Sequence, residues 1–284
     1  MEGNMKAVFT LKSAESRRLI AKGLVEMPIV KEAWEKAYVL LAGGTTNAYV
    51  AQELMGTDEY RPELCTVGLS TNGVLCNTPL ESRKFFPMVY KQGVPQEDMT
   101  LKDGLFDFYP ETVVIKGANA IDPEGNVGII TSGFDGGTIP NIIGPVTSNG
   151  LRWICPVGLE KLVPSVKESC MAVGAKRIDI SMGADFGMYH IATAIPFTEK
   201  EALKTLFNLE TTLVAAGGIG GNQGCVVLAV EGEKEDVEAC VEFIEKEVKG
   251  EPDVPGNKGN CEVCRYKRCR YCGMTEEQLP DWMK

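Results

Sequence analysis

Residues 37–42 (AYVLLA) form an unbroken apolar run that ends in Gly43-Gly44-Thr45-Thr46-Asn47, and a helical pattern takes over from 48 to 55. Strand, glycine turn, helix is the opening of a βαβ unit. It commits the chain to a parallel sheet covered on both faces, because the returning strand needs a helix to carry it back. Further apolar runs at 65–69, 86–90, 112–116, 127–131 and 151–156 supply more strands. They are continuous rather than alternating, as strands buried on two sides require. The expected fold is therefore α/β with a mostly parallel open sheet. Residues 13–36 read as helix in two pieces, with Ser13 as N-cap, no capping box because position 16 is Ser16, and Pro28 at the break.

After residue 176 the pattern changes. A strand at 187–197, a helix at 199–209, strands at 211–216 and 225–230 and a helix at 236–248 follow in turn, with a glycine-rich loop at 217–224. That β-α-β-β-α order resembles a small ferredoxin-like α+β unit. The expected organisation is an α/β ligand-binding domain over 1–175, the α+β domain over 176–250, and a Pro/Gly linker with a cysteine tail over 251–284.

The tail carries Cys261, Cys264, Cys269 and Cys272, two C-x-x-C hooks within twelve residues. Each hook sets two sulfurs at one tight turn, which suits a tetrahedral Zn²⁺. A [4Fe–4S] cluster also takes four thiolates and is the alternative. Arg265, Lys267, Arg268 and Arg270 lie between the cysteines and offset the charge of such a site. The six other cysteines are read as buried thiols. No secretory leader is read at the start and no run approaches the ~18 apolar residues of a membrane span. Ten cysteines without a leader point to a reducing cytoplasm. A net charge of −10 makes nucleic acid an improbable partner and leaves a small anionic metabolite, a second copy of the chain, or a protein docking on the second domain or the tail.

Glycine-rich strand ends are where ligands bind in open α/β sheets. Backbone N–H groups of Gly43 and Gly44, the hydroxyls of Thr45 and Thr46, and Asn47 at a helix start suit phosphate or carboxylate. A tight turn capped by threonine is the alternative. At the next strand end stand Lys116, Gly117 and Asn119, then Asp122 in a Asp-Pro-Glu-Gly sequence that reads equally as a β-turn. Asp135, between glycines, is a candidate acid, and a plain glycine-rich connection reads equally well there. His190 is the only histidine and sits in an apolar strand pattern, which excludes an imidazole-rich zinc site and makes a nucleophile triad a poor fit.

AGGTTN after a strand, followed by KGANAIDPEGN, resembles the superfamily of ribose-5-phosphate isomerase, glucosamine-6-phosphate deaminase and the CoA-transferases. The stretch Cys155 to Ser165 (CPVGLEKLVPS) is most similar to its lactate-utilisation (LUD) branch. The resemblance covers about residues 35–170. It implies that Gly43, Gly44, Thr45 and Thr46 hold the phosphate. Asn119 stands where the isomerases carry a catalytic Asp, and Asn cannot act as a carboxylate base, which argues against pentose-phosphate isomerisation. Glu160 is the nearest counterpart of the CoA-transferase glutamate, with a helix-start acid as its other reading. Two functions stay open: an enzyme acting on a sugar phosphate, hydroxy acid or acyl-CoA, and a non-catalytic ligand-sensing or adaptor protein.

Overall fold

The computed structural model describes residues 4–85, 87–133 and 135–284. Phe86, the start of the expected strand 86–90, lies outside them, as do residues 1–3.

A six-stranded mixed sheet forms the centre, in the order β12 (Ile195–Phe197), β10 (Arg152–Pro156), β7 (Val113–Ile115), β2 (Tyr38–Leu41), β5 (Met88–Lys91), β6 (Val94–Pro95). The first four strands are mutually parallel, and β5 and β6 close one edge antiparallel. The runs at 37–42, 86–90, 112–116 and 151–156 thus mark strands of this sheet, which is only partly parallel, while the run at 127–131 forms β9 (Val127–Thr131) in a separate antiparallel sheet. Successive side chains of a strand point to opposite faces. Val39 and Leu41 of β2 enter one core with Ile115 and Ile154, while Tyr38 and Leu40 enter a second with Val114 and Trp153.

The first core is covered by α1 (Ser13–Val25), α2 (Pro28–Lys36), α3 (Thr45–Met55), α8 (Glu199–Phe207) and α9 (Lys234–Phe243). The second is covered by α5 (Leu101–Phe106), α6 (Ile139–Asn149) and a small antiparallel sheet of β8 (Ala120–Ile121), β9 (Val127–Thr131) and β11 (Gly187–Ile191). α6 runs through Gly144 and is capped by left-handed Gly150. Ile139, Ile142 and Val146 are spaced to face one core, and their burial outweighs Pro145 inside the helix. The expected strand 65–69 is instead α4 (Pro62–Cys65) followed by a hairpin of β3 (Gly68–Thr71) and β4 (Val74–Asn77). Pro62 opens that short helix, and Asn72-Gly73, both left-handed (φ 49° and 71°), closes the hairpin.

The separate ferredoxin-like domain does not form. The expected strand 187–197 splits. Its first half pairs antiparallel with β9 and its second half lies parallel to β10. β13 (Glu210–Gly217) and β14 (Cys225–Gly232) instead make a three-stranded sheet with β1 (Met5–Leu11), where β14 is central. The β1 segment, MKAVFTL, is mostly apolar and only half-buried along its length, and it pairs over all seven residues with β14. Ser13 is not the cap of α1. Lys12 is, and Glu15 accepts its N–H at 2.9 Å, half of the capping box read as missing. Pro28 opens α2.

The expected linker is an ordered strap. Arg18 on α1 pairs with Glu251 at 2.8 Å, Glu15 with Lys249 at 3.1 Å, and Lys12 with Asp253 at 3.4 Å. Beyond it the tail packs on the β3–β4 hairpin, where Tyr271, Leu279 and Met283 form a small core with Val74. The divisions at 175 and 250 therefore do not separate independent units. No helix among the described residues is long and apolar enough to cross a membrane.

α1 and α8 cross at Gly23, where an added Cβ would lie 2.6 Å from both Cα and Cβ of Ala202. The obstruction includes backbone, so the helices must part. Gly23→Ala is expected to lower stability by about 2 kcal/mol, despite the better helix propensity of alanine, read as a shift in urea midpoint.

Candidate functional site

A cleft of about 1040 Å³ opens at the carboxyl ends of the parallel strands. The turn after β2 brings Gly43, Gly44, Thr45 and Thr46 to it, and the segment after β7 brings Lys116, Gly117 and Asn119. Lys161 enters from the turn after β10, Asn77 from β4, Ser132 and Asp135 from the loop after β9. Phe134 of that loop lies outside the described residues. The N-termini of α3 and α6 both reach the lining, adding partial positive charge.

The cleft is cationic. Arg17, Arg83, Lys102, Lys116, Lys161 and Arg265 line it, against the carboxylate of Asp135 among the described residues. None of the six makes an ion pair with a described carboxylate; they are held by neutral groups or by none. Lys161 Nζ donates to the carbonyl of Ala118 at 3.1 Å, and Arg83 donates through Nε to Thr78 O at 2.9 Å. Arg17 Nε is buried without a partner. Burial pushes Lys116 and Lys161 below the usual lysine range. Beside Lys116, burial pushes the Cys155 thiol up to about 12, so Cys155 stays protonated and supplies no counter-charge.

Most of the expected ligand residues meet here, and three candidates do not. Asn47 is fully buried outside the lining, and its Nδ2 donates to Ala42 O at 2.6 Å and Ile115 O at 3.0 Å. It ties the ends of β2 and β7 together rather than touching a ligand. Asp122 is also buried away from the cleft. Burial opposes its ionisation, but the N–H groups of Val166 (3.0 Å) and Asn126 (2.9 Å) outweigh that and hold it below the usual carboxylate range. The turn reading is the right one for Asp122. Glu160 folds back over Gly158 and faces α1, where Ser13 Oγ donates to it at 3.4 Å. Asn119 lines the cleft while its Oδ1 accepts the Ile130 N–H at 2.9 Å. The Thr45 hydroxyl lies 2.8 Å from that of Thr66, which donates onward to Pro62 O. A Cβ on Gly44 would meet nothing within 4 Å, so this glycine leaves the cleft open rather than relieving a clash. His190 is exposed on β11, away from the lining.

Sequence reading missed four of the cleft's cations, Arg17, Arg83, Lys102 and Lys161, and two elements that build it. The β3–β4 hairpin supplies Asn77, and the Asn72-Gly73 turn was its signal. The other is the tail itself. Arg265 and Tyr266, between the two cysteine hooks, line the cleft. The Tyr266 oxygen accepts from Asn77 Nδ2 and sits 3.1 Å from Ser132 Oγ. The chain at Ser181 holds the tail from its other side, donating from its N–H to Arg268 O and accepting from Arg270 N–H, each at 2.9 Å.

Within the hooks, Cys264 Sγ accepts the Tyr266 N–H at 3.5 Å and Cys269 Sγ the Tyr271 N–H at 3.4 Å. Gly273, left-handed at φ 81°, donates to Cys261 O at 2.7 Å and ties one hook to the other. Among the described residues, no three His, Cys, Asp or Glu side chains stand in a metal-holding arrangement.

Behind the cleft, Glu199 at the start of α8 is fully buried and accepts the Leu159 N–H at 3.0 Å. Burial, then the neighbouring Glu160, raises it from the ordinary 4.5 to about 7. The folded protein therefore holds this proton more tightly than the unfolded chain. The contribution of Glu199 to stability is full below about 4.5 and is lost as pH rises through about 7, where Glu199 must ionise in place. Glu199→Gln is expected to flatten that decline and to stabilise the protein at pH 8 by about 3 kcal/mol, measured as urea unfolding at both ends of the range.

Comparison of the chain with protein-family models, with curated proteins and with solved structures finds no match.

Proposed function

We propose that this protein binds a small anionic metabolite, bearing phosphate or carboxylate, in the cleft at the carboxyl ends of β2, β7 and β10. One observation carries the reading: six cations face one carboxylate in a chain of net charge −10. Such a reversal concentrates anions at one place on an otherwise repelling surface. Helix N-termini add N–H donors suited to phosphate, while at the Gly43-Gly44 turn the Gly44 N–H donates to Cys65 O at 3.1 Å. The volume is ample for a sugar phosphate, a hydroxy acid or part of an acyl-CoA. The motif-level resemblance to the isomerase, deaminase, CoA-transferase and LUD proteins agrees with a ligand held at this turn.

If the ligand is transformed, Asp135, Lys116 and Lys161 are among the lining groups able to move a proton. A ligand-sensing protein without turnover is the second reading, favoured by Asn119 and by the withdrawal of Asp122 and Glu160 from the lining. In either case the four tail thiols are proposed to hold Zn²⁺, with a [4Fe–4S] cluster as the alternative. The two N–H···S bonds are the kind that stabilise metal-bound thiolates.

Calorimetric titration with pyrophosphate, glucose 6-phosphate, lactate and acetyl-CoA tests the cleft. At least one is expected to bind, more weakly as salt is raised. Lys116→Ala should weaken it about tenfold or more. Gly44→Ala should weaken it without moving the urea midpoint, since the added Cβ meets only open space. No heat from any of the four at low salt, or an unchanged Lys116→Ala variant, would sink the reading. Elemental analysis of protein purified without oxygen is expected to give about one zinc per chain, lost in a Cys264→Ser, Cys272→Ser double variant. Iron with sulfide points to the cluster, and absence of both metals overturns the site.

A further inference from the structure

Tyr266 belongs to the cysteine hooks and to the cleft at once. Its N–H donates to Cys264 Sγ of the first hook at 3.5 Å, and its carbonyl accepts the Cys269 N–H of the second at 3.0 Å. Its hydroxyl, at the far end of a rigid ring, accepts from Asn77 Nδ2 and sits 3.1 Å from Ser132 Oγ, and all three residues line the cleft. The side chain between these two ends is buried. β4 makes the same connection a second time. Cys76 joins the small core on which Cys261 and Cys269 also pack, and it lines the cleft. The next residue, Asn77, accepts on its carbonyl the N–H of Gly259, two residues ahead of the first hook, at 3.1 Å.

We infer that Tyr266 couples the metal of the tail to the anion of the cleft, so that a loaded tail binds the anion more tightly. The inference rests on the anion-site and tail-metal readings above and adds the link between them. The backbone of Tyr266 is bonded to one cysteine of each hook, so a metal that gathers the four thiols acts on both sides of it and holds it in one place. The hydroxyl, and Arg265 beside it, are then set in the lining before the anion arrives. Less of the binding free energy is lost in ordering them. By linkage, the bound anion must tighten the hold on the metal by the same factor. Tyr266 is in this sense a positioning residue, and the tail is a device through which metal supply governs ligand binding.

The test is calorimetric titration of the full chain with inorganic phosphate at low salt, once loaded with zinc and freed of excess metal, and once stripped by a chelator under reductant. The loaded protein is expected to bind phosphate about fivefold or more tighter than the stripped one. Tyr266→Phe removes the hydroxyl and keeps both backbone bonds to the hooks. That variant should retain about one metal per chain, while its loaded and stripped forms bind phosphate within about twofold of each other. A merely structural defect would weaken both forms and leave their ratio as it is in the wild type. Two outcomes overturn the inference while both sites stand: loaded and stripped wild-type protein bind phosphate alike, or Tyr266→Phe keeps the wild-type ratio. If phosphate binds neither form, the inference fails together with the phosphate side of the anion reading. If the chain takes up no metal, it fails together with the metal reading, and the anion reading is untouched.

Discussion

Everything in this molecule is arranged around three short parallel strands, β2, β7 and β10, that are buried on both faces. Their side chains alternate between two apolar cores, so neither face of the sheet has room for a polar group. Polar chemistry is pushed to the strand ends, where the backbone leaves the ladder and its N–H and C=O groups need new partners. Asn47 answers part of that need by bonding the carbonyls of Ala42 and Ile115 at once. It holds the ends of β2 and β7 side by side, and the turns beyond them open into the cleft.

The electrostatics follow from the same burial. Half-buried Lys116 and Lys161 lose hydration, and Lys161 is held by the carbonyl of Ala118 rather than by a carboxylate. A carbonyl holds the cation in place without cancelling its charge. The cleft thus keeps a positive field, while the excess of 39 acidic over 29 basic residues makes the chain as a whole negative. Field lines from a positive cleft with low-dielectric walls are focused outward through its mouth.

The sheet was legible because two-sided burial writes itself as unbroken apolar runs. The run at 37–42 gave β2 within a residue at each end, and the glycine turn after it led to the cleft. The residues that failed are those whose role depends on a distant partner. β1 is apolar at five of its seven positions, but the strand that pairs with it, β14, lies some 220 residues away, as Met5 pairs with Gly232. The 187–197 segment carries a strand signal throughout, but nothing local tells that its halves join different sheets. Asp122 and Asn47 had the right chemistry for a ligand. Both are spent on backbone groups that folding alone brings to them. The tail was misplaced for the reverse reason. A Pro/Gly stretch reads as a loose linker, yet its two acids, Glu251 and Asp253, are paired with Arg18 on α1 and with Lys12 at its cap.

That matching gives the tail its place in the function. Arg17 and Arg18 are neighbours on α1 and do different work. Arg17 lines the cleft, while Arg18 clamps Glu251 at the head of the strap and Glu53 on α3, with Tyr49 against its guanidinium. The strap leads directly to the cysteine hooks, and the hooks carry Arg265 back to the cleft. One turn of α1 therefore supplies Arg17 to the cleft lining and anchors the start of the segment that leads to Arg265, so the tail's place at the cleft is set by the fold and not by the length of a flexible linker.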